Sequence, residues 1–86
     1  MSDRASPAVM AALRDTLQNQ MDASDPPETA MTFARLRSEG LSEDETWRWL
    51  SAAMLQELNA MLRDNRLFDR TGYVAALNRL PGLIDR

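Results

Sequence analysis

Few residues of this 86-residue chain could do chemistry, and they are of four kinds. Glu57 lies inside an otherwise apolar helical stretch, where a carboxylate can serve as a perturbed acid or as a metal ligand. Neither role has company there, because the other acids fall at helix starts and in loops, so Glu57 is expected to be paired to an arginine or snorkelled. Ser51 has the hydroxyl of a nucleophile but no histidine or lysine to activate it, and is expected to pack against its own helix with the hydroxyl bonded to backbone. Arg63, Arg66, Arg70 and Arg79 could gather into a phosphate or acidic-partner site. The simpler expectation is that they favour the negative end of a helix and pair with Asp64 and Asp69. Glu43, Asp44 and Glu45 form the fourth group, three carboxylates in the first turn of a helix, where they favour the positive end of its dipole.

What is missing narrows the chemistry further. The chain has no histidine, hence neither the commonest general base nor the commonest zinc ligand. It has no cysteine, so no disulfide, thiolate metal site or thiol nucleophile, a composition compatible with a reducing cytoplasm. An enzyme is not expected, and neither a catalytic residue, a cofactor nor a metal is assigned. All ten basic residues are arginine, which fits coding in a GC-rich bacterium. Net charge is −3, and no segment has the basic excess of a nucleic-acid binder. The apolar runs are too short for a membrane span, and the start, Ser2-Asp3-Arg4, lacks the apolar core of a signal peptide, so the protein is expected in the cytoplasm.

Four helices are expected to position these groups. Ser6 and Pro7 read as a cap and first helical position, and Met10, Leu13, Leu17 and Met21 recur at three- and four-residue spacing over about 7–22. Asp22-Ala-Ser-Asp-Pro-Pro27 breaks that helix, because the prolines lack amide donors and restrict the residues before them. Residues 1–24 are therefore expected to form an amphipathic helix that can be separate from a helical core domain spanning 25–86. Asp25 and Glu28 have the spacing of a capping box for a second helix over about 26–38. Gly40 can take the left-handed conformation that closes it, with Leu36 and Leu41 in contact across the ending.

Ser42 and Glu45 form another box, opening a long third helix over about 43–64. On it Leu50, Met61, Met54, Trp47, Leu58, Leu62 and Leu55 fall within roughly 140° of one another. Trp49 shares the far side with Ala52, Ala53 and Ala60, whose small side chains let another helix approach. Asn65 and Arg66 end this helix, and Asp69 caps a fourth over about 70–79, with Phe68 and Tyr73 at the spacing of a hydrophobic staple. Leu80-Pro81-Gly82 stops it, and Leu83-Ile84 can pack back as a tail. The expected fold class is all-α, a four-helix domain with a long central third helix.

Asp25-Pro-Pro-Glu28, Ser38-Glu-Gly-Leu-Ser-Glu-Asp-Glu45, Met61-Leu62, Phe68-Asp69, Tyr73 and Leu80-Pro81 together resemble a family of small uncharacterised bacterial all-helical domains. Thr71-Gly72 departs from that pattern, where acidic or helix-favouring residues are expected. The resemblance covers 25–81 and implies no activity.

Two functions fit this plan. One is a non-enzymatic protein–protein interaction domain, a homodimer or the binder of another protein, using Trp49, Ala53, Gln56 and Ala60. Met10 and Leu17 of the first helix compete to cover that face, and a chain this short buries only about 60–65% of its unfolded surface, which favours help from a second copy. The alternative is a helix-turn-helix regulator using residues 33–50. Its recognition helix would begin with Glu43, Asp44 and Glu45, carboxylates aimed at phosphates, so nucleic acid is the disfavoured partner.

Overall fold

The computed structural model describes residues 7–81, and they form four helices and no strand: α1 (Pro7–Ala23), α2 (Pro27–Ser38), α3 (Glu43–Asp64) and α4 (Arg70–Arg79). The all-α class and the long third helix are as the periodicity implies. Ser6, Gly82, Leu83 and Ile84, read as a cap, part of a stop and a tail, lie outside the described residues.

Each junction has a local cause. Ser24, at φ 54°, turns the chain out of α1, and its amide bonds the Met21 carbonyl at 3.2 Å. The box expected at Asp25 and Glu28 does not form. Pro26 occupies the cap position and has no side-chain acceptor to offer, while the Asp25 carboxylate lies one residue outside and takes Arg70 of α4 at 2.8 Å instead. The corner between α2 and α3 is built as its residues dictate. Gly40 sits at φ +100°, the Leu41 amide reaches the Leu36 carbonyl at 3.2 Å, and Leu36 is buried. Across it, the Glu45 amide donates to Ser42 Oγ at 3.1 Å and the Ser42 amide donates to Glu45 Oε1 at 2.8 Å.

At the other end of α3, Asn65 adopts the left-handed conformation and closes the helix. Asp69 then caps α4 by accepting the Gly72 amide at 3.1 Å, and Phe68 lies 5.5 Å from Tyr73 as the staple. The glycine that looks out of place at 72 has a reason. A Cβ there would stand 2.7 Å from Asp69 Oδ2, so a larger residue would displace the capping carboxylate.

The core is shared by all four helices, with Leu17, Leu36, Leu50, Tyr73 and Leu77 fully enclosed. α2 and α3 each pack against both α1 and α4, whereas the backbones of α1 and α4 do not meet. Their link is Gln20, whose side-chain oxygen accepts the Thr29 hydroxyl of α2 at 2.8 Å and the Tyr73 hydroxyl of α4 at 3.1 Å. The far end of α4 is held by Arg35 of α2, which donates to the Leu77 and Leu80 carbonyls at 3.0 Å each. That guanidinium satisfies carbonyls which a helix end otherwise leaves to water.

Candidate functional site

α3 touches every other helix, so its burial pattern decides which surface is left for a partner. Its buried residues are Thr46, Trp47, Leu50, Ser51, Ala53, Met54 and Glu57. Relative to the apolar stripe in the sequence, this set is rotated by roughly 50° around the axis. Leu62, placed in the stripe by type, is 82% exposed, while Ala53, Thr46 and Glu57 have turned inward.

Two of the inward groups are polar and both are satisfied. Thr46 donates to the Ser42 carbonyl at 2.8 Å. Glu57 accepts from Arg66 at 2.8 and 3.1 Å and from the Asp69 amide at 2.8 Å. Those bonds, led by the one to Arg66, hold the Glu57 carboxyl below its ordinary pKa against the opposing effect of burial. Glu57 is therefore the clamp of the α3–α4 corner, paired to an arginine as its isolation on the helix implies. Ser51 is buried too, yet its hydroxyl has no hydrogen-bond partner among the described residues, so the expected bond to its own helix backbone is not made.

The arginines do not gather into an anion site. Arg63 pairs with Asp64 at 3.1 Å, Arg66 with Glu57 at 2.8 Å and with the same Asp64 at 3.9 Å, and Arg70 with Asp25, so three of the four are engaged with carboxylates. Of the partners expected, Asp64 is used and Asp69 is spent on capping. No group of three or more metal-ligating side chains exists among the described residues. The first turn of α3 presents Glu43, Asp44 and Glu45 to solvent, with the Ser42 bonds lowering the pKa of Glu45.

The two tryptophans part company. Trp47 is 7% exposed, with the Phe33 ring 5.3 Å away edge-on and the Arg14 guanidinium carbon 4.4 Å from its own ring centroid. α1 thus covers Trp47 rather than Trp49, and Met10 shares a cleft with Trp47. Trp49 stays half-exposed beside a groove that it lines with Glu45, Arg48 and Ala52.

Of the four residues expected to meet a partner, Trp49, Gln56 and Ala60 reach the surface on neighbouring turns. Ala53 does not. It is completely enclosed in the core and is corrected to a packing residue, because its small side chain is what lets a neighbouring helix come close at that level. Asn59 and Leu62 extend the outward face, with Leu55 at its margin packed against the core, and spacing carries the signal that could have found them: Ala52, Leu55, Asn59 and Leu62 repeat at three and four residues. Leu67, just beyond α3, is 87% exposed.

No helix of the described residues is long and apolar enough to cross a membrane. No protein-family model matches the chain, and no curated protein or solved structure matches it significantly.

Proposed function

We propose that this protein is a non-enzymatic protein–protein interaction domain that self-associates through the outer face of α3. One observation carries the reading: on the side of α3 away from its buried residues, Gln56 and Asn59 are exposed, Leu62 is 82% exposed, and Trp49, Ala52 and Ala60 are only partly covered, Trp49 touching the core at one edge. An apolar surface of that kind on a small domain marks a site of association. A second copy supplies the same surface, and an isologous seam needs only one such face per chain. Tryptophan at its edge is the residue type that most often anchors an interface.

The absence of cysteine makes a direct test possible, since a single introduced thiol reports on its own neighbour. Gln56→Cys, at the middle of the face, is expected to form an intermolecular disulfide rapidly under mild oxidation at micromolar concentration. Asn19→Cys, exposed on α1, is the collisional control. Cross-linking at the same slow rate in both variants would refute self-association through α3.

A further inference from the structure

A second opening lies between the start of α1 and the first two turns of α3, a cleft of about 380 Å³ lined by Met10, Arg14, Asp44, Trp47, Arg48 and Ser51. Its polar equipment is mostly donor. Ser51 is 3% exposed and borders this cleft, and the indole N–H of Trp47, another of its lining residues, is buried with no hydrogen-bond partner among the described residues. Arg14 and Arg48 form no close ion pair there, in contrast to Arg63, Arg66 and Arg70, although Arg48 acts at longer range on the Glu45 carboxylate. Arg14 is also held in place, its guanidinium stacked 4.4 Å from the Trp47 ring centroid. Stacking leaves the edge of the guanidinium free, and that edge carries the paired donors that match a carboxylate.

We propose that this cleft binds a small monocarboxylate with an apolar body. The carboxylate lies between Arg14 and Arg48 and takes the Ser51 hydroxyl as a third donor, while the hydrocarbon rests on Met10 and Trp47. Asp44 on the rim and Glu45, which interacts with Arg48 from the same first turn, limit the charge of the ligand. They leave no surplus of positive charge to hold a dianion such as phosphate, so the site suits a single carboxylate held by directed hydrogen bonds. The apolar walls exclude a fully hydrated anion for a different reason, because they add affinity only through buried hydrocarbon. Arg48 also borders the groove beside Trp49, whereas Met10, Arg14, Asp44, Trp47 and Ser51 line this cleft and not that groove.

The test titrates the full chain with octanoate and follows the Trp47 indole N–H and the Ser51 amide by NMR, with octanol and inorganic phosphate as parallel arms. Saturable shifts at both positions with octanoate alone are expected, at a Kd on the order of 0.1–1 mM for so open a cleft. Arg14→Gln should weaken binding about tenfold or more, the loss of a charge-assisted hydrogen bond. Ser51→Ala should weaken it several-fold, and alanine keeps the helix intact because its intrinsic propensity is higher. No saturable shift up to about 10 mM, an order of magnitude above the expected Kd, would overturn the proposal. Equal binding of octanol or phosphate, or undiminished affinity in a folded Arg14→Gln chain, would do the same.

Discussion

Trp47 and Trp49 stand two residues apart on one helix and meet opposite fates. Trp47 is closed in by Phe33 from α2 and Arg14 from α1, while Trp49 is left beside an open groove. The difference follows from the helical period, which puts residues two apart about 200° apart around the axis. One helix on a single core buries Trp47 and leaves Trp49 only partly covered at the core's edge. The inner side of α3 is thus an element of folding, and the outer side is free to be an element of assembly.

Stability measurements separate the two sides most sharply at the tryptophans themselves. Trp47→Ala should cost about 3–5 kcal/mol, the range for emptying an aromatic site in a core. Trp49→Ala should cost about 1 kcal/mol or less when unfolding is followed at a concentration low enough to keep the chain monomeric. Chemical denaturation of both variants makes the comparison, and equal losses would erase the distinction between the two sides.

The corner clamp on the inner side comes next. Arg66→Met leaves the Glu57 carboxylate buried without its main partner and should cost about 2 kcal/mol, below the full penalty for a buried pair because Arg66 is itself one-third exposed. The pH dependence has a definite sign. The folded pKa of Glu57 lies below the unfolded glutamate value of about 4.3, so the clamp stabilises fully above that value and its contribution is lost as pH falls through the lower folded value. Glu57→Gln should therefore flatten the acid limb of the stability profile. An unchanged limb would mean that Glu57 is not the titrating group.

Smaller effects belong to the corner that aims α3. Gly40→Val should cost about 1–2 kcal/mol through left-handed strain alone, since a side chain there meets open space. Ser42→Ala should cost about 1 kcal/mol through the lost cap. Thermal melts check both, and neither change should alter association, because the corner lies on the folding side of the comparison.

Residue order made some of this architecture legible and hid the rest. The α2–α3 corner, the Asn65 ending and the Phe68–Tyr73 staple are read correctly because their partners lie within a few residues. The rotation of α3 is not legible. Counting apolar types places Leu62 inside and leaves Thr46 and Ala53 ambiguous, whereas packing selects the small side chains where helices approach closely. The Asp25 box fails for a related reason, as a distant arginine competes for the same carboxylate. Gln20 joining Thr29 to Tyr73, Arg35 closing α4 and Arg14 stacking on Trp47 are contacts between separate helices, and no local pattern announces them. For the outward face, the half that sequence suggested was Trp49, Gln56 and Ala60. Leu62 beside them was assigned to the core, whereas Leu55 does pack against it.

The most direct test of an outer face built for assembly is sedimentation equilibrium of the full chain across micromolar concentrations, alone and with Trp49→Glu or Leu62→Glu. The expected result is a mass twice that of the 9.7 kDa chain, moving towards the monomer in either variant while helical content survives. A wild-type chain that stays at monomer mass throughout would contradict self-association and leave the outer face of α3 as ordinary surface.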